Sequence, residues 1–390
     1  MKNNFVTILD FGSSKITCMA ASKLSDNGEF VIKAVGQSSY SGFDDEKFYE
    51  PETLADAIKQ AVSQVEAKMN TSVKEIFVGV PGAFAAMVNG EGSRTYHSKK
   101  KIDAEDIAEV IKEADIFQCT SDFAPIGAKP VYYVVDGAVK CYDPMGMIAS
   151  KLMVLVSFSY MKKYFRNTVA PILLEMGINK VTYLNTCEAQ ASYVSNAMFR
   201  EGYSIIIDVG YITTNVMLCG GTGLMFARTF ALGSGYLASD ICQVQGCDFK
   251  TAMAALEKVN LNLDIKSGDA YSVNGKMVDA TQTNSIVKER IGQIAQYIIR
   301  SFRLCNSPIP SNTPIILTGG GLAYLRGGVD CLANQLGKPV RLYDSVNPQT
   351  KRNEYTSSYG LIYEAVKTNV TKGSFKSFLK SIGLGKKGDK

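Results

Sequence analysis

Histidine is almost absent from this 390-residue chain. His97 is the only one, and it sits in a polar stretch beside Lys99, Lys100 and Lys101. That scarcity excludes a histidine-dependent catalytic triad and any multi-histidine metal centre. The nine cysteines include no C-x-x-C pair, Cys242 and Cys247 being the closest in sequence. An odd number of scattered thiols fits reduced side chains in a cytoplasmic protein better than disulfides or zinc. No uninterrupted apolar run approaches the roughly eighteen residues of a membrane span. The first residues enter a core strand almost at once, so no signal peptide is expected. The body also lacks net charge. The formal +5 of the whole chain is matched by residues 371–390, which hold six lysines against one acid, Asp389. A formally neutral body argues against a nucleic-acid partner, which calls for a basic face on the folded domain. With 46% hydrophobic and 20% charged residues, the chain has the composition of a soluble globular protein, long enough for two or more domains.

What is present is one local pattern, twice. Ile205-Ile206-Ile207 runs into Asp208-Val209-Gly210, then a turn with Thr213 and Thr214, then a second apolar strand from Val216. This reads as a β-hairpin with a carboxylate at the mouth of its first strand. Glycine lets backbone N–H groups approach an anion, and threonine hydroxyls reach phosphate oxygens or metal-bound water. The carboxylate suits hydrated Mg²⁺, which takes oxygen ligands and keeps several waters. Near the start, Phe5 to Leu9 leads into Asp10-Phe11-Gly12-Ser13-Ser14-Lys15 and then Ile16 to Ala20. Two copies of one hairpin imply two similar half-molecules facing each other across a cleft. A third element completes it: the buried strand Ile315-Ile316-Leu317 enters Thr318-Gly319-Gly320-Gly321, with a helix expected from Leu322. Glycines at the carboxyl end of a strand leave room for a flat ligand such as a nucleoside.

Together these residues resemble the actin, hexokinase and Hsp70 superfamily. Asp10 to Lys15 resembles its first phosphate motif, Asp208 to Asn215 its second, and Leu317 to Gly321 its adenosine motif. Asn185-Thr186-Cys187-Glu188-Ala189-Gln190-Ala191 resembles the connecting motif, whose acid helps hold the metal or the attacking water. The resemblance implies a two-lobed α/β ATPase fold of the ribonuclease-H-like type that binds ATP and Mg²⁺. Asp10 and Asp208 would be the metal carboxylates and, with Glu188, the catalytic residues. Gly12, Ser13, Ser14, Lys15, Gly210, Tyr211, Thr213, Thr214 and Asn215 would surround the phosphates, with Gly233, Gly319, Gly320 and Gly321 also contacting nucleotide.

Between the lobes' motifs, residues 84–162 read as an insertion. Strand-like Met87 to Arg94 precedes a helix capped by Asp103, with Ile107, Val110, Ile111 and Ala114 on its apolar face. Strands follow at Val131 to Val135 and Lys151 to Phe158. Val134-Val135-Asp136-Gly137 and then Asp143-Pro144-Met145-Gly146-Met147 resemble the 1C subdomain of FtsA, the actin homologue of bacterial division. The expected organisation is subdomain 1A (1–83 and 163–202) around 1C (84–162), then 2A (203–245) and 2B (246–309). Residues 310–366 complete 2A and return to 1A, before a linker (367–372) and a tail (373–390).

The helix expected over Lys162 to Met176 contains Pro171, which should kink or break it. Glu257 and Lys258 resemble the family position that contacts the ribose or base. On the helix Ile286 to Phe302, Arg290, accompanied by Arg300, resembles the site that receives the acidic carboxyl-terminal peptide of FtsZ. In the tail, Phe375, Phe378, Leu379 and Ile382 recur at i, i+3, i+4 and i+7, with Lys376 and Lys380 off that stripe. This is the pattern of an interfacial helix on an anionic leaflet. The resemblance therefore implies a self-polymerising adaptor, peripheral on the inner face of the cytoplasmic membrane at the division site. It would tether FtsZ and recruit later division proteins.

Two other readings compete: a PilM-type pilus-assembly relative, and an Hsp70- or sugar-kinase-like ATPase. The second hairpin departs from the family's Asp-Ile-Gly-Gly-Gly-Thr-x-Asp. Tyr211 and Ile212 stand where glycines are usual, and Asn215 replaces a carboxylate. A β-branched residue resists positive φ, so a reshaped hairpin is expected, with ATP bound but hydrolysed slowly if at all.

Overall fold

A computed structural model describes residues 5–25, 28–44, 47–115, 121–195, 202–305 and 309–370, with side chains to 368 in the last stretch. The tail residues Phe375, Lys376, Phe378, Leu379, Lys380 and Ile382 lie outside them.

The first lobe begins as an antiparallel meander of Phe5–Phe11, Lys15–Lys23 and Phe30–Ser39. Its first strand also pairs in parallel with Glu75–Val80, which pairs in parallel with Lys180–Asn185. A parallel neighbour requires a crossover, and helix α1 (Pro51–Met69) supplies it, burying Leu54, Ile58, Ala61, Val62 and Val65. The insertion follows as a four-stranded antiparallel sheet of Ala85–Lys101, Ile148–Lys162, Phe123–Val135 and Val139–Cys141, in that spatial order. Helix α2 (Ala104–Glu113) covers it. Asp103 Oδ1 accepts from the N–H groups of Glu105 and Asp106, and Asp106 returns the bond to the Asp103 N–H, a reciprocal cap that starts the helix where the sequence placed it.

Helix α3 (Lys163–Glu175) runs through Pro171 without interruption. Pro171 and Asn167, whose carbonyl loses its partner, both lie on the exposed face, where water can satisfy that carbonyl. Helix α4 (Thr186–Val194) starts at Asn185, whose side-chain oxygen accepts from the N–H groups of Cys187 and Glu188.

The second lobe repeats the first in plan. Tyr203–Val209, Thr214–Gly220 and Gly223–Phe230 form the meander, and Tyr203–Val209 pairs in parallel with Ile315–Thr318, itself parallel to Val340–Leu342. Helices α5 (Gly235–Gln245), α6 (Phe249–Lys258), α7 (Ala280–Arg303) and α8 (Gly328–Leu336) complete it. Val287, Ile291, Ile294, Ala295 and Ile298 of α7 are buried, as their spacing requires. The helix expected from Leu322 begins instead at Gly328. The intervening turn is held off helical geometry by the Arg326 guanidinium, which donates to the carbonyls of Glu257 and Lys258, and by left-handed Gly327. Finally α9 (Thr356–Val370) returns to the first lobe, packing Leu361, Ile362, Ala365 and Val366 against Val6, Ile8, Met19 and Phe77.

Candidate functional site: the cleft between the paired hairpins

The two hairpins share one register. Asp10 faces Thr17 and Phe11 faces Ile16, while Asp208 faces Asn215 and Val209 faces Thr214. The Gly12 N–H donates to the Lys15 carbonyl at 3.0 Å, and the Gly210 N–H donates to the Thr213 carbonyl at 2.9 Å. Ser13-Ser14 and Tyr211-Ile212 are therefore equivalent two-residue tips. The expected reshaping of the second tip does not occur, because neither Tyr211 nor Ile212 has positive φ and the closing hydrogen bond is kept. The tips meet: the Ile212 N–H donates to Ser13 Oγ at 2.9 Å.

Behind the tips lies a cavity of about 400 Å³, within the range of small-molecule sites. Of the residues singled out in the sequence, it is lined by Asp10, Gly12, Ser13, Ser14, Lys15, Asp208, Gly210, Tyr211, Thr213, Asn215, Gly319, Gly320 and Gly321. Gly319 has φ +87° and a Cβ there would fall 2.3 Å from Asp208 Oδ1, so only glycine lets this loop lie against the carboxylate. Two expected contacts sit beneath the turn instead. Thr214 Oγ1 donates to the Leu232 carbonyl at 2.7 Å, and a Cβ on Gly233 would fall 2.5 Å from the Tyr211 carbonyl oxygen.

Both aspartates are desolvated. Asp10 Oδ2 accepts from Ser357 Oγ at 2.7 Å and Ser358 Oγ at 2.6 Å, yet burial holds its pKa above the usual carboxylate value. Burial also pushes Asp208 up to about 6; Asn215 and Gln190 pull it down and the Asp10 charge adds to the rise. Among the described residues Lys15 is the one basic group on the lining, against Asp10, Asp208 and Glu354. Its ammonium stands 4.4 Å from the centre of the Tyr355 ring. This lining would repel a bare polyphosphate. Two carboxylates held at a penalty in one cavity fit a divalent cation. The described residues contain no cluster of three or more His, Cys, Asp or Glu able to hold a metal. Water and ligand oxygens must therefore supply the remaining positions, as Mg²⁺ prefers.

Three expected site residues lie elsewhere. Glu188 is not on the cleft lining; it accepts from Ser159 Oγ at 2.7 Å and lies 3.9 Å from Lys129 Nζ, in a second cavity between insertion and first lobe. Because Asn185 caps α4, Thr186 reaches the cleft and Glu188, two positions on, turns to the other side. Thr186 Oγ1 is buried without a partner. Glu257 and Lys258 are also outside the lining, where Lys258 Nζ donates to the Ser272 carbonyl. Arg290 grips Asp240 through Nε and Nη2, both at 2.6 Å, and Gln293 through Nη1, whereas Arg300 is exposed beside the Tyr297 ring.

The sequence did not point to Ser357, Ser358 or Glu354, and it marked Glu188 of the connecting motif where Thr186 is the residue on the lining. The run Thr356-Ser357-Ser358 ahead of apolar Leu361 and Ile362 was the available signal: hydroxyls opening a buried helix have to bond something.

Repeated lobes, facing aspartates and a glycine-lined cavity define an actin-like fold. Solved structures agree. The PilM–PilN type IV pilus biogenesis complex matches with TM-score 0.63 at 16% identity, over 93% of this chain and 98% of that one. MreB5 of Spiroplasma citri bound to ADP matches with TM-score 0.56 at 12% identity, over 96% and 100%. Residues 82–158 match the family model described as the SHS2 domain inserted in FtsA. The cell division protein FtsA of Streptococcus pneumoniae serotype 2 (strain D39) is 27% identical over 361 residues, 88% of this chain and 76% of that protein. That of Enterococcus hirae is 23% identical over 93% and 85%, and that of Neisseria meningitidis serogroup B is 20% identical over 94% and 91%. Over most of its length the chain is thus similar to FtsA cell-division proteins, and its insertion matches their SHS2 domain.

Proposed function

We propose that this chain binds ATP with Mg²⁺ in the interlobe cleft, assembles into protofilaments, and tethers FtsZ to the inner face of the cytoplasmic membrane during division, where it recruits later division proteins. The observation that carries the nucleotide part is the shared register of the two hairpins, which brings Asp10 and Asp208 to one cavity beside Gly319. Bound Mg²⁺ would neutralise phosphate charge against the two aspartates. Asp10 and Asp208 would hold it through its waters, Ser13, Ser14, Lys15 and the Gly210 N–H would orient the phosphates, and Gly319 to Gly321 would leave space for the nucleoside. Lys15 has only to swing from the Tyr355 face. With Glu188 off the lining and Asn215 in place of a carboxylate opposite Asp208, two acids that the family would bring to the attacking water are missing from the cleft, which favours binding over hydrolysis.

The membrane part rests on the sequence of the tail. Each lysine near an anionic surface contributes about 1 kcal/mol. A single short apolar stripe is marginal alone, and many copies in a filament reinforce one another through effective concentration. No helix among the described residues is long and apolar enough to cross a membrane. Sedimentation of the full chain and of residues 1–372 with anionic liposomes, with and without ATP, tests this: loss of tail-dependent, ATP-promoted binding overturns it. Capture by an immobilised FtsZ carboxyl-terminal peptide tests the partner.

A further inference from the structure

A second cavity of about 400 Å³ lies between the insertion and the first lobe, outside the nucleotide cleft. Its walls include Phe77, Ile126, Ala128, Tyr183 and Leu184. Its floor is the Lys129 ammonium, 2.9 Å from Glu364, 3.9 Å from Glu188, and donating to Ser192 Oγ. A Cβ on Gly127, another lining residue, meets nothing within 4 Å, so a larger side chain can be set there without a clash.

The charges do not select an ion. Lys129 is already shared by two carboxylates, and Lys180 pairs with Glu75 at 2.7 Å. Three acids and three lysines line the cavity and cancel, so neither a phosphate nor a free ammonium is drawn in. The walls take apolar groups.

One source of apolar groups is covalently adjacent. Lys367 and Thr368 at the end of α9 line the cavity, and the chain continues from there through residues 371–390. Phe375 is the seventh residue after Thr368, a reach of up to roughly 25 Å when extended. We propose that residues 371–390 dock in this cavity of their own subunit through the stripe Phe375, Phe378, Leu379 and Ile382. The cavity thereby competes with lipid for the same side chains. Docking requires only the apolar stripe and the nearby cavity, whether or not the stripe also binds membrane.

The chain contains no tryptophan, so Phe378→Trp in the full-length protein gives a single reporter. In dilute, lipid-free solution its emission should be that of a buried indole protected from acrylamide. Gly127→Phe, which sets a bulky ring on the cavity wall, should shift the emission to that of an exposed indole; Gly127→Leu should do the same more gently. Phe375→Asp, which leaves the folded body untouched, should also expose the reporter. Solvent-exposed emission in Phe378→Trp alone, or buried emission unmoved by the Gly127 variants, overturns the proposal. A blue shift that grows with protein concentration overturns it too, since it assigns the docking to a second copy. Gly127→Phe in the otherwise native chain should tighten binding to anionic liposomes about threefold to tenfold, the factor by which a competing occupied state lowers apparent affinity. Unchanged measurable affinity counts against the proposal. If neither protein binds liposomes, the membrane reading fails and the fluorescence decides the docking.

Discussion

Ser13 and Ile212, 199 residues apart, join the tips of the two lobes through one hydrogen bond from the Ile212 N–H to the Ser13 hydroxyl. Ser13 is thus both a phosphate candidate and the latch between the halves. Ser13→Ala should lower stability without nucleotide by about 0.5–1.5 kcal/mol, a shift of a few degrees by calorimetry, and should weaken ATP binding. Unchanged melting and unchanged affinity together would remove Ser13 from both roles.

Asp208 should carry a trade-off between stability and function. Its folded pKa, about 6, lies above its ordinary 3.8, so between those pH values the folded state binds more protons. Stability therefore falls as pH rises through that window, by at most about 3 kcal/mol for this group. Asp208→Asn should melt higher than the parent at pH 7–8 in nucleotide-free solution, with the advantage fading toward pH 4. The same variant should lose Mg²⁺-dependent ATP binding. A lower melting temperature at pH 8 would contradict the account.

Glu188 and Lys129 should behave as structural residues. Burial and then Lys129 set the Glu188 carboxyl, with a net upward shift; for Glu364 burial pushes upward, but the Lys129 ammonium, joined by Lys367 and Ser192, holds it below its usual value. Glu188→Gln should leave nucleotide affinity and turnover within about twofold, because the side chain is not on the cleft lining. Lys129→Met should destabilise by roughly 3–5 kcal/mol, since it strands buried carboxylates. A large drop in turnover for Glu188→Gln with unaltered melting would restore it to the catalytic set.

Steady phosphate release by the wild-type chain should stay well under about 1 per second, the low end of ordinary enzyme turnover. Turnover at the pace of a chaperone or sugar kinase would show that the cleft activates water by some other group.

Arg290 and Arg300 should separate in peptide binding. Arg290 is bidentate on Asp240, so Arg290→Ala should act mainly through stability. Arg300, exposed beside Tyr297, should lower affinity for an acidic FtsZ carboxyl-terminal peptide when changed to alanine, with melting unaffected. Equal losses of affinity in both variants, at equal melting temperature, would mean that the Asp240 pair opens on binding.

The sequence made both hairpins legible, because an aspartate, a glycine and hydroxyls in fixed order between two apolar strands have few other uses. The Asp103 cap and the buried stripe of α7 were legible for the same local reasons. What escaped was set by tertiary contacts. Whether Thr186 or Glu188 looks into the cleft depends on where Asn185 starts α4 and how that helix is turned against its neighbours. The start of α8 at Gly328 depends on Arg326 reaching the carbonyls of a distant helix. Asp10's partners, Ser357 and Ser358, come from the far end of the described chain. The tail carried the membrane expectation and lies outside the described residues.

The matched registers bring together unlike fingertips, two small hydroxyls on one side and a phenol with a branched alkyl group on the other. A polyphosphate held between them would have its stronger grip on the N-terminal half, with backbone and the Thr213 hydroxyl on the other. As the halves part, the cargo would stay with the first, making the C-terminal half the gate. Exchanging Ser13-Ser14 with Tyr211-Ile212 should then reverse which half keeps it.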